Sequence, residues 1–230
     1  MKRPGRGVLT AGAAATAWYT VYQLGRTAGS AESERRRVLP GDDLVSRPDI
    51  VTDHAVSIAA PPEDVWPWLV QMGWHRGGWY THRWVDRLLF PENEPSVDQV
   101  LPQYQDLKVG DHIPDGAPET NCYFVVQTLT PSELMVLHST SHLPPGLAGR
   151  PGVRLNWTWT FSIEAEGYHC SRLHFRSRIA LEPWWLRCAY RLLLVPADYV
   201  MAGSMCKGVK RRVESMRRKV DELMPEEMRR

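Results

Sequence analysis

The sequence lacks the motifs on which several common kinds of functional site depend. Its 4 cysteines lie far apart, and with no CxxC pair among them neither a zinc ribbon nor a thioredoxin-type redox site is expected. GxSxG, GxGxxG, Walker A and HExxH are all absent, so serine hydrolases, dinucleotide enzymes, nucleoside triphosphatases and zincins lack their signatures. No repeat is visible either. The cysteines are expected to act as small buried hydrophobic residues.

The net charge and the histidine spacing argue against a nucleic-acid-binding protein and a metal-binding protein. The net charge of +2 over 230 residues does not indicate a nucleic-acid partner. His138 and His142 are four apart, but they fall on a strand end and in a loop, so no shared helix face can bind a metal. The sequence therefore predicts no metal and no cofactor. With 43% hydrophobic residues, a chain of this length can bury a core, and a cavity inside it, without disulfides.

Large aromatic side chains are abundant. The sequence has ten tryptophans, nine of them between Trp66 and Trp185. This is more than the packing of a small core usually requires, which predicts that some of these rings line a cavity.

The N-terminus predicts a membrane anchor over residues 1–25. No residue from 7 to 25 is charged, basic residues stand on both sides of this run, and Trp18, Tyr19 and Tyr22 suit a membrane interface. Two alternatives stay open: a cleaved signal peptide of a secreted protein, and an Ala-rich helix of a cytoplasmic one. Both flanks are basic, so orientation is not predicted. Residues 26–48 are expected to form a polar linker or arm, and residues 49–224 a single domain.

Hydrophobic periodicity predicts the elements of that domain. A strand at 51–58 is followed by a helix starting near 59–63 and by a second at 81–89, whose apolar stripe is Trp84, Val85, Leu88 and Leu89. Period-two alternation predicts strands at 122–129, 134–137, 155–163 and 172–181. The last strand carries Arg172, His174, Arg176 and Arg178 on a side expected to be solvated. From Trp184 a helix interrupted at Pro196 carries one apolar stripe: Met201, Met205, Val209, Val213, Met216, Val220 and Leu223.

Four stretches carry a family resemblance: LPGDDLV at 39–45, AAPPEDVWPWLVQMG at 59–73, RGGWY at 76–80 and LPQYQDLKVGDHIPDG at 101–116. Together they resemble the START-like or SRPBCC superfamily, the polyketide cyclase and lipid transport group. The resemblance implies an α+β helix-grip fold, in which a curved antiparallel sheet wraps around a long C-terminal helix. It also implies a hydrophobic cavity between the sheet and that helix.

The favoured function is binding or transport of a hydrophobic small molecule, lipid or polyketide-like, by a membrane-tethered protein. The alternative is a polyketide cyclase or dehydrase acting in the same cavity, and a third possibility is an interaction protein whose tryptophans simply fill its core. The expected wall residues are Trp79, Tyr80, Trp84, Trp157, Trp159, Met201 and Met205. Arg76 is a candidate for binding a carboxylate or phosphate at the cavity mouth, or for an ion pair with Asp106 or Asp111. His112 is a candidate general base.

Overall fold

A computed structural model describes residues 6–89, 92 and 94–223. Its six strands form one antiparallel sheet in the order β1-β6-β5-β4-β3-β2. The strands are β1 Ile50–Ile58, β2 His112–Pro114, β3 Tyr123–Thr130, β4 Leu134–Ser139, β5 Arg154–Ala165 and β6 Ser171–Glu182. The helices are α1 Arg6–Thr27, α2 Glu32–Arg36, α3 Pro62–Val70, α4 Arg83–Leu89 and α5 Trp184–Leu223. The prediction of an α+β helix-grip fold, an antiparallel sheet with a long C-terminal helix, is confirmed.

The inner face of the sheet follows the predicted alternation. β5 and β6 pair from Arg154↔Glu182 to Ala165↔Ser171, and Phe161 and Phe175 meet at 5.6 Å between ring centroids. These side chains pack against α3 and α5 in the main core. Burial of this face provides the dominant stabilisation, at about 25 cal/mol for each Å² of apolar surface removed from water.

The outer face of the sheet is not solvated, which corrects the prediction. Thr158 and Thr160 are 1% and 2% exposed, because the segment after α2 lies over them. The Thr160 hydroxyl donates to the carbonyl of Pro40 at 3.1 Å, and Asn156 donates to that of Leu44. The expected linker at 26–48 is therefore a covering layer of the folded body.

Under this layer lies a buried charge cluster. His174, expected at the surface, is 1% exposed, and its Nε2 lies 2.9 Å from Asp53 Oδ1. Arg176 Nε donates to the same oxygen at 2.8 Å, and Arg176 Nη1 donates to Asp42 Oδ2 at 2.9 Å. The cluster occupies the sheet face opposite α5, so His174 is a structural residue of the outer layer.

The two short helices after β1 are present. α3 buries Val65, Trp68 and Leu69, with Pro67 inside the helix. In α4 the predicted stripe is wrong, because Val85 is buried whereas Trp84 and Leu88 are 56% and 70% exposed. The side chain of Leu89 lies outside the described residues.

α5 is one helix of 40 residues that passes through Pro196, so the predicted interruption is absent. Its apolar stripe is buried or packed on the core from Met205 to Met216. Beyond that point Val220 and Leu223 are exposed, which ends the stripe earlier than predicted.

α1 packs against the first half of α5. Gly25 lies against the backbone of Val195 so closely that a Cβ there would overlap the Val195 carbonyl. Tyr22 and Val195 join Ile50, Leu155 and Ile179 in a second, smaller core. Among the described helices, α5 is the one long and apolar enough to cross a membrane by length and composition, and its apolar window is 33% buried. The strongest such segment is thus at the C-terminal end of the chain.

The four cysteines differ in burial, and Cys122 is intermediate. Cys206 is buried, and burial raises the pKa of its thiol to about 12. Cys170 and Cys188 are exposed, so the prediction of buried cysteines is wrong for these two.

Candidate functional site

An aromatic cavity lies between the sheet and α5, at the boundary of the two cores. Its volume is about 60 Å³, smaller than the roughly 300–1,000 Å³ of typical ligand sites, so a bound molecule of ordinary size requires side chains to move. The cavity is lined by Ile50, Thr52, Trp79, Asp115, Trp157, Trp159, Ser177, Ile179, Leu194, Val195, Asp198, Met201, Ala202 and Met205.

Three indoles dominate the wall. Trp79 and Trp159 are stacked with 5.5 Å between ring centroids, and Trp157 lies 6.4 Å from Trp159. Met201 and Met205 face them from α5. Five of the predicted wall residues thus come together, while their role in ligand binding stays a prediction.

The other predicted wall residues lie elsewhere. Tyr80 is fully buried beside α5, and its hydroxyl donates to the carbonyl of Trp68 at 2.8 Å. Burial raises the pKa of Tyr80. Trp84 points to solvent. Neither residue is part of the cavity lining.

Arg76 and His112 also lie away from the cavity. Arg76 donates to the carbonyls of Val70 and Met72 at 2.8 and 3.0 Å, so it caps the C-terminus of α3. Its guanidinium also lies 4.5 Å from the Tyr104 ring centroid, and burial lowers its pKa. His112 is exposed on β2, where it stacks on Tyr123 at 4.4 Å. The expected ion pair of Arg76 with Asp106 or Asp111 is replaced by these carbonyl contacts.

A carboxylate that the sequence analysis missed enters the cavity from α5. Asp198 lines the cavity, and its Oδ2 lies 3.1 Å from Nε2 of the fully buried His54. The His54 ring stacks on Phe175 at 5.2 Å, which fixes its orientation. The sequence spacing could have placed Asp198 in the cavity. Asp198 precedes Met201 and Met205 by three and seven residues, so it belongs to the same helix face.

A second carboxylate enters from the loop after β2. Asp115 Oδ2 lies 2.9 Å from His142 Nε2, and His142 Nδ1 lies 2.7 Å from the hydroxyl of Ser139. The His142 ring packs on Phe124 and on Trp157. Each cavity aspartate is therefore positioned by a histidine that is itself held by an aromatic ring.

Three buried polar atoms on lining residues have no hydrogen-bond partner within the described part of the chain. They are Thr52 Oγ1, Trp79 Nε1 and Trp159 Nε1. Thr52 is 3% exposed and Trp79 is 4% exposed. By contrast, the Trp157 indole donates to the hydroxyl of Ser177. The cavity thus combines apolar walls with one hydroxyl and two N–H groups that an occupant can satisfy.

Comparison with solved structures gives distant likenesses to proteins of this fold. Protein MLL2253 from Mesorhizobium loti is 14% identical, with a TM-score of 0.43 over 72% of this chain and 98% of that one. Truncated norcoclaurine synthase from Thalictrum flavum is 14% identical, with a TM-score of 0.40 over 69% and 91%. Zhui aromatase/cyclase from Streptomyces sp. R1128 is 13% identical, with a TM-score of 0.42 over 72% and 93%. No family model and no curated protein matches the chain.

Proposed function

We propose that this protein binds a hydrophobic small molecule in the cavity between the sheet and α5. The observation that carries the proposal is the set of unpartnered polar atoms of Thr52, Trp79 and Trp159 on one apolar cavity. Leaving a buried polar group unpaired costs about 1–3 kcal/mol, which a ligand that pairs with these atoms would recover. A carbonyl or hydroxyl group on an otherwise apolar ligand would pair with them.

The closed cavity can widen at its methionines. Met201 and Met205 are unbranched and repack easily, and the Trp79 ring is held against Trp159 by stacking alone on that side. Ligand entry is thus expected to separate the two indoles and to change their fluorescence.

A neutral hydrophobic dye, N-phenyl-1-naphthylamine, provides the test. The full chain is expected to bind the dye with enhanced fluorescence, and Met201→Trp is expected to abolish binding because the larger ring fills the cavity. Leu193→Trp is the matched control, since Leu193 lies on the same helix and is 73% exposed. Equal dye binding by both variants and the unchanged protein would refute a binding cavity at this place.

We also propose that α1 tethers the protein to a membrane. Residues 13–20 of α1 are all exposed and uncharged, and Trp18 and Tyr19 are 42% and 57% exposed. Large exposed apolar patches of this kind typically mark interaction surfaces.

The first half of α5 extends this surface. Trp184, Leu192 and Leu193 are 67%, 54% and 73% exposed. Since α1 is docked on this half of α5 through Gly25, membrane attachment of α1 brings both helices to the bilayer. The cavity, which the same half of α5 lines, would then lie next to the membrane.

Cosedimentation with phosphatidylcholine vesicles tests the tether. The full chain is expected to pellet with vesicles, and the double substitution Ala14→Arg and Trp18→Arg is expected to leave it in the supernatant. Val109→Arg is the control, because Val109 is 61% exposed outside α1 and α5. Removing the first 38 residues would be a poor test, since it also removes Glu34, which binds Arg172 at 2.7 Å.

One observation favours the enzyme alternative: each cavity carboxylate is paired with a histidine. A carboxylate held in this way can accept and return a proton, as a cyclase or dehydrase requires. Exchange of the α-protons of 2-tetralone in D₂O, followed by NMR, measures such a transfer. Faster exchange with the protein than with buffer, lost in Asp198→Asn, would support catalysis, and no acceleration would leave the binding function alone.

A further inference from the structure

We propose that the ligand is a hydrophobic cation, an alkyl or aryl amine whose ammonium group lies among the indoles and the two aspartates, while an oxygen elsewhere on the ligand accepts from the N–H groups of Trp79 and Trp159. This inference rests on the proposed binding function and names its ligand class. Among the described lining residues, Asp115 and Asp198 are the ionisable ones, and no lysine, arginine or histidine lines the cavity. The cavity wall is therefore acidic as well as apolar.

The three indoles add a second attraction for a cation. The face of tryptophan is the most favourable of the aromatic side chains for a cation within about 6 Å of the ring centroid. Trp79, Trp157 and Trp159 form one contiguous wall. Such a wall attracts an ammonium group and gives no comparable attraction to a carboxylate.

The carboxylates are held in place rather than free to rotate. Asp198 and Asp115 each use Oδ2 to bind a histidine, and their side chains are 26% and 15% exposed. A charged acceptor that is fixed and partly desolvated forms stronger hydrogen bonds with an ammonium than an exposed one does.

Thr52 is the independent observation that points to a ligand. Thr52 lines the cavity, and its hydroxyl oxygen is buried with no partner in the described residues. A hydroxyl oxygen accepts an N–H bond, so it can take one proton of a primary ammonium while an aspartate takes another.

Two buried arginines of the domain bind groups outside the cavity lining. Arg176 binds Asp53 and Asp42 on the outer face of the sheet, and Arg212 donates to the carbonyl of Val97. An anionic ligand would therefore meet two aspartates, while their histidine partners, His54 and His142, lie outside the cavity lining. This arrangement predicts discrimination by charge at constant ligand shape.

Three probes with one skeleton test this prediction: 4-phenylbutylamine, 4-phenylbutan-1-ol and 4-phenylbutyrate, titrated at pH 7.5 by calorimetry. The amine is expected to bind at least about tenfold more tightly than the alcohol, the gain expected from a hydrogen bond to a charged group. The butyrate is expected to bind most weakly. Equal affinity of amine and alcohol, or tighter binding of the butyrate, would overturn the inference while leaving a binding cavity.

Substitutions locate the effect. Asp198→Asn and Asp115→Asn are each expected to weaken amine binding about 10- to 100-fold and to leave alcohol binding unchanged. An asparagine oxygen can still accept the histidine N–H, so both variants keep the internal hydrogen bond, and thermal unfolding verifies that they fold. Asp106→Asn is the control, because Asp106 lies at the surface and pairs with Lys108.

The outcomes separate the two proposals. If amine binding is the same in both variants as in the unchanged protein, the aspartates serve only to position His54 and His142 and the inference is wrong. If neither the alcohol nor N-phenyl-1-naphthylamine binds, the proposed binding function itself fails. If both neutral molecules bind and the amine binds no more tightly than the alcohol, the proposal of a cationic ligand is wrong and the proposed binding function stands.

Discussion

Alanine at Gly208 is expected to disrupt the contact between α5 and the segment that carries Trp79. Gly208 is buried in α5, and a Cβ at this position would overlap the carbonyl oxygen of Tyr80 and lie 2.9 Å from its carbonyl carbon. Carbon and oxygen normally stay about 3.3 Å apart even in close contacts. The helix or the Tyr80 peptide would therefore have to move on the order of 1 Å.

The Tyr80 peptide has little freedom to give way. Tyr80 has a φ of 58°, in the left-handed region, and its hydroxyl is bound to the Trp68 carbonyl. Overpacking of a well-packed core costs about 1–3 kcal/mol. A cost near the upper end of this range is expected here, because the overlap is with backbone atoms that cannot change rotamer. The higher helix propensity of alanine offsets about 1 kcal/mol of this cost. Gly208→Ala is therefore expected to lower the free energy of unfolding by about 2 kcal/mol.

Gly203 provides the matched control five residues earlier on the same helix. A Cβ there meets nothing within 4 Å, so Gly203→Ala is expected to stabilise the protein by up to about 1 kcal/mol. Urea unfolding followed by tryptophan fluorescence measures both variants, which should differ by about 3 kcal/mol with unchanged m-values. Midpoints that shift in the same direction would refute the close packing of α5 on Tyr80.

Three further predictions concern charge and packing. The hydrogen bond from Arg172 lowers the pKa of Glu34 to about 2. Ionised Glu34 therefore stabilises the fold above pH about 4.5, and this stabilisation is lost as the pH falls towards 2. Because water still reaches the pair, Glu34→Gln should lower the free energy of unfolding by only about 1 kcal/mol at pH 6, and should leave it unchanged near pH 2, as measured by urea unfolding. Arg176→Met should cost about 3–5 kcal/mol in thermal unfolding, since it leaves the buried carboxylate of Asp53 without its arginine; a loss below 1 kcal/mol would contradict this interpretation. Trp157→Ala should destabilise less than the roughly 3–5 kcal/mol expected of the core variant Trp68→Ala while changing dye binding, and equal losses with unchanged dye binding would favour a filled core.

The inner face of the sheet was predictable because its signal is local. Side chains alternate along a strand with period two, so Leu155, Phe161 and Ile163 had to share one side, and a buried helix face follows its own period in the same way. Asp115 lies in a loop, where side chains follow no periodicity that could predict its position. It reaches the cavity only because β2 and β3 bring the loop next to His142, a contact between residues 27 positions apart.

The outer layer was not predictable from local pattern. Residues 26–48 have the composition of a linker, and the arginines of β6 have the composition of a solvated face. The segment and the strand supply each other's hydrogen-bond partners. Arg176 donates to the carbonyls of Glu34, Arg35 and Arg37. A polar strand face and a polar segment distant in sequence can bury one another when their hydrogen bonds match, and periodicity does not report such a match.

Asp198 and its neighbours show why cavity and surface are mechanically linked. On one side of the first half of α5, Leu194, Val195 and Asp198 line the cavity. On the other side, Leu192 and Leu193 are exposed, and α1 is packed alongside. A displacement of this half that widens the cavity must carry α1 and the exposed apolar surface with it, because the packed contact at Gly25 leaves no space for the two helices to slide past each other. If the cavity widens by displacement of this half of α5, a partner at that surface is therefore expected to act on the width of the cavity, and a ligand in the cavity on the surface in return.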